Sequence, residues 1–486
     1  MRTFLIFLAS VLLMNCEAPS QEVKKPDVTN RPELSQQQLY QHYDRYKEPT
    51  IKNRRFKHED IVPLIKKLEA PFQVEKAGQS IEGRDIYLVT LGNGPTKVLL
   101  WSQMHGDEPT ATMAMMDMFN FFSQSDDFDD LRKTLLDNIT FFFIPLLNPD
   151  GAEKYQRRNA LGVDLNRDAL RLQSPESKIL KNIRDQTDAD WGFNLHDQNR
   201  YYGAGTNPHI ATISFLAPAY NYEKEVNESR ENAMQLIVDM NTVLQEYIPG
   251  QVAKYSDAFE PRAFGDNIQK WGTSTILIES GGLKGDPEKQ EIRKLNFVAI
   301  MSAFESIANG FYESQSKADY EAIPFNESNW FLDLLIREVE VQVNGQWFIV
   351  DVGFRRSEVD YTGSRDFYHR SRIHDLGDLS IFYAYEDLDA KGLRAFPGKV
   401  YPDTMQNFQA LQRLNVQQLL KQGYTSIRLA DWGNNFRQIQ DFPLEVLRLG
   451  RSPDKSILQG ENPSLLLRKG NEVEYAVVNG FLIEVK

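Results

Sequence analysis

The chain has 486 residues, with 55 Lys or Arg against 68 Asp or Glu, a formal net charge of −13. Hydrophobic residues make up 41% and aromatics 11%, the composition of a globular protein, which excludes disorder, collagen and coiled coil as the overall class. The acidity argues against nucleic acid, because a phosphate backbone is bound by clustered Lys and Arg and the basic runs here are short and interrupted.

Arg2 precedes an apolar stretch from Phe4 to Leu13, well short of the roughly 20 residues that cross a bilayer. Residues 1–15 therefore read as a secretory signal. Cys16 is the only cysteine, so no intramolecular disulfide is available. Its position behind the apolar run resembles that of the lipid-modified Cys of bacterial lipoproteins, although Leu13-Met14-Asn15 replaces the usual small residues. The resemblance implies export to the cell envelope, in the periplasm or at the outer membrane, with a lipid at Cys16 holding the chain to the bilayer. Without that lipid the chain is secreted. Residues 16–35, rich in Pro, Glu, Lys and Ser, read as a flexible tether.

From Phe56 onward, short apolar runs alternate with longer helical ones. Ile86–Leu91, Lys97–Trp101, Ile139–Leu147, Gly192–Leu195 and Ser274–Glu279 are predicted strands. Thr110–Phe122 is predicted as a buried helix and Glu223–Tyr247 as a long helical stretch. Apolar strands separated by helices indicate an α/β sheet covered on both faces. Residues 36–312 are assigned to this domain. Residues 313–329 are polar, contain Pro324 and read as a linker. Residues 330–486 are expected to form a β-rich accessory domain. Arg337–Val343 and Gln346–Val352 flank Asn344-Gly345, a strong hairpin signal, and Val473–Val485 repeats it around Asn479-Gly480. Gln406–Gln422 is predicted as one helix. His369 and His374, set among arginines, are assigned to a polar loop in preference to a second metal site.

Four elements could carry chemistry. His105-Gly106-Asp107-Glu108 follows a predicted strand, with Gly106 expected to turn the backbone. His196 and Glu279 each end an apolar strand, where open α/β sheets place ligand sites. The fourth is Gln156 to Asp168, which carries Arg157, Arg158 and Arg167, side chains suited to gripping carboxylates. Any one of them alone also reads as ordinary structure or solvated surface. Imidazole and carboxylate are the zinc ligands that remain when thiolates are absent.

Together, Gly78-Gln79-Ser80-Ile81-Glu82-Gly83-Arg84, His105-Gly106-Asp107-Glu108, Asn148-Pro149-Asp150-Gly151, Gly162-Val163-Asp164-Leu165-Asn166-Arg167, His196 and Glu279 resemble, in this order, the zinc carboxypeptidase family of the carboxypeptidase A and B type. The resemblance covers about residues 38–312. It implies the fold of that family, a mixed, mostly parallel sheet with helices on both faces. It also implies one zinc per chain held by His105, Glu108 and His196, with Asp164 orienting His105. By the same resemblance Glu279 is the general base, and Arg158, ahead of Arg157, faces the oxyanion. Asn166 and Arg167 grip the terminal carboxylate of a peptide substrate. Tyr255 stands loosely where a substrate-capping tyrosine belongs, and Arg262 lies in the stretch lining the side-chain pocket, where it would favour an acidic or amidated side chain. Asp168 and Asp197 depart from the family pattern, and would disfavour acidic substrates unless paired. The implied activity is hydrolysis of C-terminal residues from peptides, with no inhibitory precursor segment expected. Alternatives are an amidase acting on cell-wall peptides and a non-catalytic peptide- or glycan-binding envelope lipoprotein.

Overall fold

A computed structural model describes residues 33–206, 208–327, 331–361 and 363–486; the signal segment, Cys16 and most of the tether lie outside them. Among the described residues, nine strands belong to the first part of the chain: β1 (Gln73–Gln79), β2 (Asp85–Leu91), β3 (Thr96–Ser102), β4 (Ile139–Ile144), β5 (Trp191–Asp197), β6 (Gly203–Ala204), β7 (Ile213–Leu216), β8 (Val252–Lys254) and β9 (Ser274–Ser280). Eight of them form one sheet in the order β1-β2-β4-β3-β5-β9-β7-β8. The central pairs β4·β3, β3·β5 and β5·β9 are parallel, as is β7·β8, while the remaining neighbours are antiparallel.

The sequence of β3 explains its central place. Val98 and Leu100 enter one core, with helices Thr110–Ser123, Glu228–Gln245 and Gln290–Asn309. Leu99 and Trp101 enter the opposite core, with Leu180 and Ile183 of helix Pro175–Thr187 and Phe264 and Ile268 of helix Phe264–Lys270. Successive side chains leave opposite faces of a strand, so a strand covered on both sides must be apolar throughout. The fold is thus the expected mixed α/β sheet with helices on both faces. Among the described residues no helix is long and apolar enough to cross a membrane.

The stretch predicted as a linker is built of a 3₁₀ turn, Phe311–Ser314, a helix, Lys317–Ala322, and β10 (Asn326–Glu327), which pairs with β6. Tyr320 of that helix is buried, and its hydroxyl accepts a hydrogen bond from Ala217 N at 3.1 Å.

The C-terminal region is β-rich. Its strands are β11 (Phe331–Val343), β12 (Gln346–Tyr361), β13 (Asp366–Gly377), β14 (Tyr383–Asp389), β15 (Arg394–Pro397), β16 (Lys399–Met405), β17 (Tyr424–Leu429), β18 (Glu445–Arg448), β19 (Leu465–Lys469), β20 (Glu472–Val478) and β21 (Phe481–Glu484). One sheet runs β13-β12-β11-β15-β19-β20-β21, with β14 parallel to β11; β16, β17 and β18 make a small parallel sheet. Both predicted hairpins form, and each Asn-Gly pair has positive φ at both residues, 50° and 81° at Asn344-Gly345 and 48° and 70° at Asn479-Gly480, as a tight two-residue turn requires.

Two expectations need correction. Gln406–Gln422 holds two short helices, Phe408–Gln412 and Val416–Lys421, because Asn415 starts the second by accepting a hydrogen bond from Gln418 N at 3.1 Å. His369 and His374 lie on β13, not in a loop. Residues 32–486 form a single compact unit.

Candidate metal centre

Three strand ends meet at one point. The chain leaves β3 and reaches His105-Gly106, where a Cβ on Gly106 would lie 2.0 Å from the backbone carbon of Gly151. Glycine is required there by that close approach; φ at Gly106 is not positive. Gly151 belongs to the short helix Pro149–Lys154, started by Asn148, whose side chain accepts from Gly151 N at 2.9 Å. Glu108 follows His105 by three residues. His196 is the next-to-last residue of β5, in direct register with Glu279 of β9, so the two side chains leave the same face of the sheet.

His105, Glu108 and His196 are all buried, and their ligand atoms lie within 4.8 Å of one another. His105 Nδ1 is 2.8 Å from Glu108 Oε1, His196 Nδ1 is 2.6 Å from Glu108 Oε2, and the two ring nitrogens are 3.2 Å apart. His105 Nε2 lies 3.0 Å from Asp164 Oδ1. That contact assigns the ring proton to Nε2 and leaves Nδ1 as a lone-pair donor facing the other two ligands. Two imidazoles and one carboxylate converging from separate elements are the donor set of a catalytic zinc. The set fits one zinc ion.

The charge state of each group is set by burial and by the charged groups around it. Burial opposes charge on His105, but Glu108 and Asp164 outweigh it and raise its pKa to about 9. Burial also disfavours the Glu108 carboxylate, yet the two histidines hold its pKa far below the ordinary range. Glu279 has no such support: burial first, and the charge of Glu108 second, raise its pKa well above that of a free carboxyl.

Arg157, rather than Arg158, reaches this point. Its Nη1 is 3.0 Å from His105 Nδ1 and 3.2 Å from Glu108 Oε1, while its Nε donates to Asp164 Oδ2 at 3.1 Å. Arg158 donates to Gly162 O at 2.9 Å and stays exposed. The structure thus sets Arg157 beside the ligands, where the sequence resemblance prefers Arg158: the Asp164 carboxylate pairs with Arg157, and the local turn takes up Arg158.

The remaining predicted residues divide. Tyr255 lies near Glu279: burial, followed by the Glu279 charge, raises its hydroxyl pKa. Asn166 Oδ1 accepts from Phe264 N at 2.9 Å. Arg167 and Arg262 share one partner, Glu260. Arg167 Nε lies 3.3 Å from Glu260 Oε2, and Arg262 donates to both Glu260 oxygens, at 3.1 and 3.2 Å. Arg262 is exposed. Both departing acids are paired. Asp168 accepts from Gln173 N and Ser174 N at 2.9 and 2.8 Å. Asp197 accepts from Thr110 Oγ1 at 2.6 Å and from Lys289 Nζ at 3.0 Å. Sequence reading missed Glu260 and Lys289, since neither sits in a motif and each is defined only by the cation or acid it meets in space.

Residues 65–238 match the sequence model of the zinc carboxypeptidase family. The chain is similar to carboxypeptidase SOL1 of Arabidopsis thaliana, 27% identical over 175 residues, which are 30% of this chain and 35% of that protein. It is also 28% identical to mouse (Mus musculus) carboxypeptidase D over 129 residues, 23% of this chain and 9% of that one. The chain thus spans about a third or less of the curated relatives it matches. Among solved structures, a metallo-carboxypeptidase from Burkholderia cenocepacia superposes with a TM-score of 0.42 at 19% identity, covering 52% of this chain and 69% of that one.

Proposed function

From a zinc carboxypeptidase domain at residues 65–238 we propose that the protein is a zinc metallocarboxypeptidase that removes C-terminal residues from peptides. The observation that carries this reading is the convergence of His105, Glu108 and His196 with Glu279 in register beside His196. Held by those three ligands, zinc would lower the pKa of a bound water towards about 7 and polarise a carbonyl oxygen. Glu279 takes the proton of the attacking water and delivers it to the leaving amine. Burial and the Glu108 charge raise its pKa, the direction in which a carboxylate becomes a stronger base. Arg157 donates to the negative charge that develops on the carbonyl oxygen. Asp164 keeps His105 in the required tautomer. Asn166 and Arg167 bind the terminal carboxylate, which Arg forks recognise through two parallel bonds.

A matrix of peptides with free or amidated C-termini, each assayed with and without a chelator, tests the reading. Hydrolysis is expected only for the free acids, lost with chelator and restored by zinc. Cleavage indifferent to amidation would overturn it.

A further inference from the structure

A cleft of about 790 Å³ opens beside Glu108. Its floor and one wall come from the α/β part, including Asp107, Glu108, Asp197 and Arg200, and from the loop Gly281–Lys289 that follows β9. Its other wall comes from the C-terminal β region: Arg356 of β12, His369 of β13, Tyr385 of β14 and Phe481 of β21. None of Asn166, Arg167, Tyr255, Glu260 or Arg262 lines it. We propose that this wall binds the substrate residues on the N-terminal side of the scissile bond, making the C-terminal β region a specificity element that selects short peptides. The inference rests on the carboxypeptidase reading above.

Direction comes first. If the terminal carboxylate is held at Arg167, the released residue lies on that side of the metal ligands. The rest of the peptide must leave by the other side, and the cleft that begins at Glu108 is the path there.

The wall is built rather than loose. Arg200 Nη2 donates to Asp333 Oδ1 at 2.7 Å and to Arg356 O at 2.9 Å, and Tyr201 Oη donates to Asp333 Oδ2 at 2.6 Å. Tyr385 Oη donates to Arg200 O at 2.6 Å. These bonds tie β11, β12 and β14 to the segment directly after β5. Phe481 follows the tight Asn479-Gly480 turn, with the Arg356 guanidinium 4.0 Å over its ring and His369 edge-on at 5.6 Å. An aromatic ring braced in this way offers a fixed apolar surface to a peptide side chain.

Charge and size complete the case. Most acids of the cleft pair with cations: Asp197 Oδ2 with Lys289, Asp333 with Arg200, Glu358 with Arg54 and Arg55, and Glu386 with Arg356. Asp107 Oδ1 and Asp197 Oδ1 are buried without a hydrogen-bond partner among the described residues, acceptors left for substrate N–H groups next to the ligands. The volume is that of a site enclosing a drug-sized ligand, about 300–1,000 Å³, so it takes a few residues and not a folded protein.

The test is a ladder of peptides sharing one C-terminal residue, with one to ten residues before it. For the wild-type zinc enzyme kcat/KM is expected to rise over the first few residues and then to fall. In Phe481→Ala the ratio of kcat/KM for the tetrapeptide over the dipeptide is expected to drop about tenfold, the order of a lost apolar side-chain contact. A second measurement does not depend on that variant folding. A tetrapeptide with a photoreactive phenylalanine at its N-terminus, bound to zinc-loaded Glu279→Gln, should label residues within 356–386 or near 481. A ratio unchanged in folded Phe481→Ala, or labelling confined to residues 255–264, would overturn the inference while leaving the activity in place. Absence of hydrolysis across the whole ladder would instead overturn the carboxypeptidase reading itself.

Discussion

Arg157 and Arg158 are neighbours in the chain, both exposed, with different partners. One guanidinium bridges His105, Glu108 and Asp164; the other closes a turn on Gly162 O. Arg157→Ala is expected to lower kcat about 10²–10³-fold, the effect of removing a donor to a developing oxyanion, while Arg158→Ala stays near wild type in the same steady-state assay. Glu279→Gln is expected to lower kcat about 10²–10⁴-fold with zinc content unchanged by metal analysis, because the base is not a ligand; zinc lost along with activity would remove Glu279 from that role. The ligands could be read from the sequence because their motifs stand in the order of the family they resemble, with His105 and Glu108 in the loop after β3 and His196 near the end of β5, where a sheet gathers polar groups. Which of two adjacent arginines reaches the ligands could not. That depends on Asp164, whose position is set by folding rather than by spacing.

At the scale of elements, the helices Thr110–Ser123 and Gln290–Asn309 are joined by a fully buried ion pair. Arg293 Nε donates to Asp117 Oδ2 at 2.7 Å, Tyr43 Oη donates to the same oxygen at 2.7 Å, and Glu48 N donates to Asp117 Oδ1 at 2.8 Å. Removing one partner of such a pair strands the other charge in a low-dielectric core. Arg293→Ala is therefore expected to lose about 3–5 kcal/mol of unfolding free energy, read by urea denaturation; a loss under about 1 kcal/mol would mean that Asp117 finds water. The α/β strands were legible because burial on both faces demands unbroken apolar runs. The long hairpin β11·β12 was legible from its Asn-Gly turn. The strand carrying His369 and His374 was not: its residues are largely half-buried, so no apolar period marks it. The break near Leu414 escaped because helical propensity runs through it, and only the Asn415 side chain restarts the helix.

On the scale of the whole molecule, ion pairs fasten the β region to the N-terminal part. Glu358 of β12 pairs with both Arg54 and Arg55, Arg55 also reaches Asp360 at 2.6 Å, and Arg365 pairs with Glu59 and Asp60. Burial would raise the Glu358 pKa, but the two arginines outweigh it and lower it to about 2. The folded pKa then lies below the unfolded value of about 4.3. The stabilisation is present above pH ~4.3 and is lost as pH falls towards 2. Denaturation curves between those limits should show stability declining in the wild type and a shallower slope in Glu358→Gln; equal slopes would assign the acid sensitivity elsewhere. The β5·β9 pairing bears on where the chain can be cut. The family match stops at residue 238, inside helix Glu228–Gln245, and β9 begins only at Ser274. An expression fragment trimmed to the match would keep all three ligands but leave the apolar β5 as a bare sheet edge, a template for aggregation, and would lack Glu279 altogether. Such a fragment would yield an insoluble metal chelator in place of a minimal peptidase.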